Sequence, residues 1–385
     1  MSEKEPATKG RMANMEMLRL LSMLMVVMLH YLGKGKLLPG ITESLTVNGY
    51  LAWGLESLAI VAVNVYMLIS GFFLTQSRFK TGRLLELICQ ILFYSLLIPV
   101  VLAATGVLSM QDLTIYKLLH YLFPVQMKHY WFVSAYVLLY LLSPVLRTAV
   151  LHMKKAQLQL TILFLLLVMS LSKSVLPVAL ELDEKGYDAL WFVCVFLCAA
   201  YIRLYGLPFL DKTWKGVVGY IGGCAAIFGV ELVLRMIYGR TGSLEDFAGA
   251  TYHYNHILNL CAAICLFMAF YHWNPKEGKV LRAAVSLAPC TFGVYLIHEH
   301  IELRYLWPQW MAASAEGASL LFVWNCLWKV AVVFLVCLLI DRLRAFVFQV
   351  LRKLICVKLV KRTLMKIDTA INDGSLTDTS ERKKE

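Results

Sequence analysis

Apolar residues gather in ten long runs along the chain, near 17–33, 50–74, 84–106, 130–150, 157–176, 189–206, 216–238, 253–272, 284–303 and 318–340, divided by polar segments. Each run approaches the ~20 residues that an α-helix needs to cross ~30 Å of hydrocarbon. Backbone in lipid must satisfy its own hydrogen bonds. The pattern therefore predicts an all-α fold, a polytopic transmembrane helix bundle of about ten spans. Two boundaries fall on mixed residues: run five ends at Ser172 and Lys173, and run ten contains Lys329.

Composition excludes a soluble enzyme of this length. Hydrophobic residues make up 59% of the 385 and charged residues 16%, with a mean hydropathy of +0.67. A net charge of +12 would suit nucleic acid, but the distribution of the basic residues argues against that partner. They recur in every second loop: Lys4, Lys9, Arg11 and Arg19; Arg78, Lys80 and Arg83; Arg147, Lys154 and Lys155; Arg203, Lys212 and Lys215; Lys276, Lys279 and Arg282; then the C-terminal tail. The opposite loops hold Glu181, Asp183, Glu184, Glu245 and Asp246. This is the positive-inside pattern of a membrane protein, and an even number of spans puts both termini in the cytoplasm.

The chain divides accordingly into a cytoplasmic N-terminus (1–16), a transmembrane domain (17–340) and a basic cytoplasmic tail (341–385). No cleavable leader pattern precedes the first run. In the tail, Asp341 to Lys366 is expected to lie along the anionic inner leaflet, and the polar end from Asp368 to be disordered. No linker separates soluble domains, and no internal repeat of the transporter kind is visible. The ten cysteines form no Cys-x-x-Cys pair; Cys194 with Cys198 and Cys261 with Cys265 are one helical turn apart, as packing residues are. No metal site is expected.

Within the first run stand Arg19 and His30, separated by ten residues. Helical geometry places them on one stripe, ~16 Å apart along the axis. With Arg19 at the cytoplasmic rim, His30 is expected about halfway through a ~30 Å core, a depth at which ionisable groups are functional candidates. Glu16 lies one turn before Arg19, where it is placed to pair with the guanidinium and fix its direction. An imidazole with an ordinary pKa of ~6.5 supplies a neutral base or a nucleophile near neutral pH. Other polar residues sit within the runs. Glu231 and Arg235, at i and i+4, read as a structural ion pair, while Lys329 either lines a channel or pairs with Glu56.

Several stretches together resemble one family. Glu16-Met-Leu-Arg19 followed by His30, Asn64 to Leu74 with its Ser-Gly step, Tyr130 to Pro144, and Phe292-Gly-Val-Tyr-Leu-Ile-His298 are similar to motifs of the acyltransferase-3 family of integral membrane acyltransferases. The resemblance implies a membrane O-acyltransferase with His30, Arg19 and Glu16 as catalytic residues. It implies acyl-CoA, foremost acetyl-CoA, as cytoplasmic co-substrate with no bound cofactor, and as acceptor a hydroxyl of a surface polysaccharide or its lipid-linked precursor. The location implied is the bacterial plasma membrane.

Cationic side chains at the rim suit the phosphates of acyl-CoA. Arg19 is one candidate and Arg78, Lys80 and Arg83 are others; the family's tighter Arg-x-x-Arg spacing is absent there, so topology charge accounts for that loop equally well. Acceptor-side candidates are Tyr66, Ser70, Tyr130, Trp131 and His298, with the aromatic belt and a polar helix cap as the plainer roles of the last three. Some relatives carry an appended extracytoplasmic esterase-like domain, for which no room is expected here, so acceptor handling is expected to rest on the bundle or on a partner protein. A different class of function, a transporter whose buried histidine and charged residues bind a solute or relay protons, also fits a polytopic chain.

Overall fold

The computed structural model describes residues 12–109, 111, 113–176, 184–244, 247–354 and 358–373, and among these no strand occurs. Lys4, Lys9, Arg11, Glu181, Asp183, Glu245 and Asp246 lie outside the described residues. In chain order the helices are α1 (Ala13–Lys34), α2 (Val47–Ala59), α3 (Ala62–Leu74), α4 (Thr81–Ala104), α5 (Ile115–Leu122), α6 (Trp131–His152), α7 (Lys155–Leu166) and α8 (Ser172–Val175). They continue with α9 (Ala189–Tyr205), α10 (Thr213–Thr241), α11 (Ile257–Tyr271), α12 (Lys279–Leu287), α13 (Thr291–His298), α14 (Leu306–Trp310), α15 (Ser319–Leu354) and α16 (Lys358–Asp373).

Among the described residues nine helical stretches are long and apolar enough to cross a membrane. Four of these are interrupted: α2 and α3 form one span with a break at Ile60 and Val61, α7 reaches α8 through a π-turn at Leu167–Leu171, a 3-10 turn at Ala250–Tyr252 precedes α11 across non-helical residues 253–256, and α12 reaches α13 through a 3-10 turn at Ala288–Cys290 that contains Pro289. The 17-residue α9 occupies the place of the remaining expected span. At ~1.5 Å per residue it covers ~26 Å, and its side chains are mostly buried inside the bundle. The fold is the expected polytopic helix bundle, and the boundary at Ser172 and Lys173 resolves as continuous helix.

Helix α1 is central, packing against α2, α3, α11, α12, α13 and α15. Close helix approach relies on small residues. A Cβ at Gly216 would lie 2.5 Å from the Ala269 nitrogen, and one at Gly223 would lie 2.7 Å from the Ala262 Cβ, so α10 and α11 pack nearly backbone to backbone. Peripheral helices turn apolar side chains outward, among them Val100, Leu160, Val218 and Leu339. This is the surface that lipid tails cover.

The start of α1, the 75–80 loop and α16 meet at one end. Asp368 of α16 accepts hydrogen bonds from the Thr81 backbone N–H and hydroxyl, each 2.7 Å, and Asn372 exchanges two 2.9 Å bonds with the Phe79 backbone. The loop-charge rule assigns this end to the cytoplasm. Two expectations about the tail change. Asp341 does not open a surface segment: α15 continues through it to Leu354, and its fully buried carboxylate accepts from Gln90, Tyr94 and Arg344. Residues 368–373, read as the start of a disordered end, are the last turns of α16, held in place by those contacts with the loop; 374–385 lie outside the described residues.

Candidate active site

On α1, Glu16 and Arg19 stand one turn apart and their side chains pair at 2.5 Å. Glu16 is buried, so it fixes the guanidinium, which keeps 24% exposure and lines a cavity of about 400 Å³ with Ser70, Ser77, Arg83, Tyr136 and Tyr140. A second chamber of about 300 Å³ shares Arg19, Ser70, Arg83 and Tyr136 with the first and adds Tyr66, Gln90, Phe132, Thr291 and Phe292. A third, of only about 20 Å³, shares Tyr66, Phe132 and Phe292 with the second and reaches His30. Their shared walls set the three side by side along one line from the cytoplasmic end to the histidine.

The route narrows at Tyr66. Thr291 donates its hydroxyl proton to the Ala288 carbonyl at 2.8 Å, so Tyr66 is the donor in its 2.6 Å bond to the Thr291 Oγ1. This bond ties α3 to the interrupted span α12–α13. The Phe132 ring meets Tyr66 edge-on at 6.1 Å.

At His30 the network fixes a tautomer. His298 Nδ1 lies 2.6 Å from the Val294 carbonyl, which can only accept, so the proton sits on that nitrogen and the His298 Nε2 carries a lone pair. His30 Nδ1, 2.8 Å from this Nε2, is then the donor, and the His30 Nε2 keeps its own lone pair. Glu299 Oε2 stands 3.2 Å from the same His30 Nδ1 and pairs with Lys34, while its Oε1 lies 3.8 Å from Arg304. The carboxylate stabilises an imidazolium when His30 takes up a proton, and Lys34 and Arg304 hold the carboxylate still. Trp307 Nε1 donates to the His298 carbonyl at 3.0 Å and steadies the turn.

His30, His298 and Glu299 bring three ligand atoms within 4.8 Å of one another, the donor set of a divalent transition ion. The Lys34 ammonium already sits on the Glu299 carboxylate, so any metal there competes with a built-in cation.

Of the residues picked from sequence, the fold brings Glu16, Arg19, Arg83, Ser70, Tyr66, Trp131, His30 and His298 along or beside this one route. Arg78 and Lys80 are exposed on the adjoining loop and line none of the chambers. Ser70, an acceptor-side candidate, belongs to the two inner chambers, because it lies one turn from Tyr66 toward the cytoplasmic end of α3. Tyr130 is fully buried with its hydroxyl on the Leu296 carbonyl at 2.9 Å, so it is neither a belt residue nor open to an acceptor. Trp131 lines the His30 chamber and stacks on Tyr254, with ring centroids 5.6 Å apart.

His30 lies one turn before the end of α1, and Arg19 six residues after its start. Lys329 donates to the Ala312 carbonyl at 3.0 Å and lines none of the chambers. The Glu231–Arg235 pair forms at 3.0 Å. Sequence reading missed Glu299 as a partner of His30 and Lys34 as the cation paired with that carboxylate. Lys34 carried a usable signal, since it stands four residues after His30 on the same stripe.

With this geometry in place, comparison with known families is decisive at the level of class: an acyltransferase-domain family model matches residues 12–342. The chain belongs to the acyltransferase-3 family and is a multi-pass membrane acyltransferase. No curated protein and no solved structure matches it.

Proposed function

We propose that the protein moves an acetyl group from cytoplasmic acetyl-CoA to a hydroxyl of a surface polysaccharide or its lipid-linked precursor, in the bacterial plasma membrane. The observation that carries this is the route of shared cavities that begins at Arg19 and Arg83 and ends at the free lone pair of His30. Phosphates cannot enter hydrocarbon, so they rest on the two guanidinium groups, while the slender pantetheine arm extends inward. The ~16 Å between Arg19 and His30 is a distance such an arm can span.

His30 acts as general base on the acceptor hydroxyl, or attacks the thioester first and passes the acyl group on. In either case the new bond joins the acceptor oxygen to the acetyl carbon and the carbon–sulfur bond breaks. In direct transfer CoA leaves as the thiol, with the proton that His30 took from the hydroxyl; through acyl-His30 the Nε2–carbon bond forms as the carbon–sulfur bond breaks and CoA leaves as the thiolate, then the hydroxyl displaces the imidazole and its proton balances the thiolate. On the outer side Trp131, Tyr187 and Tyr254 form an aromatic cluster, with centroids 4.5 to 5.6 Å apart, that offers a stacking face for a sugar ring. A separate partner protein that delivers the acceptor is compatible with this arrangement.

The test is acetyl transfer from labelled acetyl-CoA to glycan in membrane vesicles that carry the wild-type chain or His30→Ala. Loss of label from the glycan is the expected result. Transfer at the wild-type rate by His30→Ala removes the assignment.

A further inference from the structure

The chamber that His30 faces is small and apolar on the donor side. Met23 and Val26 precede His30 on its own helix by two turns and one turn, and Val63 faces them from α3; their exposures are 4%, 6% and 4%. About 20 Å³ of space remains. A single water needs ~10–15 Å³ on that measure, so the space matches one methyl group and not a chain of methylenes. The remaining walls are aromatic: Tyr66, Trp131, Phe132, Tyr254, Phe292 and Tyr295.

We propose that Met23, Val26 and Val63 are the acyl-length selectors of this enzyme and restrict it to two-carbon acyl thioesters. This rests on the acyltransferase reading above and adds the residues that choose the donor. Each methylene beyond acetyl has to push aside a packed side chain. One methylene in such a pocket is worth about 10–200-fold in kcat/KM.

The experiment uses inside-out vesicles from the native membrane, which contain whatever acceptor the cell provides. Release of the CoA thiol is followed with acetyl-, propionyl-, butyryl- and succinyl-CoA, and vesicles from cells lacking the chain give the background. Wild type is expected to turn over acetyl-CoA at least about 100-fold better than butyryl-CoA. Met23→Ala and Val63→Ala, on different helices, each raise the butyryl-to-acetyl ratio by at least about 10-fold. Val63→Ile lowers the propionyl-to-acetyl ratio. The ratio is internal to each preparation, so lower expression of a variant leaves it readable. Equal use of acetyl- and butyryl-CoA by the wild type overturns the proposal, as do alanine variants whose ratio stays at the wild-type value. Wild-type vesicles that release thiol from none of the four remove acyl-CoA as donor, and this proposal with it.

Discussion

His298 holds its proton on the Val294 carbonyl and offers the opposite nitrogen to His30 at 2.8 Å, so the two imidazoles form a directed pair rather than two equivalent bases. His298 acts by positioning, since it fixes which His30 nitrogen is free. Replacement by leucine removes the acceptor and lets the His30 ring turn or change tautomer, whereas glutamine can still accept from the His30 Nδ1–H. His298→Leu is expected to lower kcat by roughly 10²-fold or more with little change in KM for acyl-CoA, and His298→Gln to recover a substantial part of it. Steady-state kinetics of the two variants checks this. Equal losses in both would mean that packing, and not tautomer control, is what His298 supplies.

At the other end of the route, Arg19 and Arg83 line both inner chambers while Lys80 lines neither. Loss of one charge-assisted contact costs about 1.5–3 kcal/mol, a factor of about 10–100 in affinity. Arg19→Gln and Arg83→Gln are therefore expected to raise KM for acyl-CoA by that factor with kcat largely kept, and Lys80→Gln to leave it within a factor of ~2. Glu16→Gln should resemble a mild Arg19→Gln, because the guanidinium loses the buried partner that aims it. The Lys80 result is the sharper control: a rise equal to that of Arg83→Gln would point to loop charge as a whole.

The bundle and the first half of the site were legible in sequence because both depend on local periodicity. Apolar runs set the spans, loop charge set their sides, and the i, i+3 spacing of Glu16 and Arg19 announced their pairing. The second half was not legible, because no spacing rule relates residue 30 to residue 298, and helix order in a bundle is settled by packing. Asp341 was misplaced for a related reason. A carboxylate after an apolar run looks like the start of a tail until Gln90, Tyr94 and Arg344 are found around it.

That buried carboxylate makes Gly293 of the Phe-Gly-x-Tyr motif a stability position. A Cβ there would overlap the Asp341 carboxyl, since α13 and α15 cross at this point. Gly293→Ala is expected to lower stability by about 1–3 kcal/mol, the cost of overpacking a filled core. Thermal unfolding of the purified protein in detergent measures it. An unfolding midpoint equal to that of the wild type would show that the Asp341 cluster shifts freely.

The outer loops carry a pH dependence that does not involve His30 and His298. His129, outside the spans, is almost fully buried, with its Nδ1 3.1 Å from the His120 carbonyl and its ring 4.5 Å from that of His300. Burial pushes its pKa down to about 3; the hydrogen bond with the His120 carbonyl opposes this, and the charges of His120 and Arg304 add to it. An unfolded chain titrates this group near ~6.5, so between that pH and about 3 the unfolded state binds the extra proton. The stability that the neutral imidazole contributes is complete above pH ~6.5 and is lost progressively as pH falls toward the folded value. His129→Gln removes the titrating group, so its unfolding midpoint should fall less steeply than that of the wild type between pH 6.5 and 4. Parallel profiles for the two proteins would place the acid sensitivity in another group.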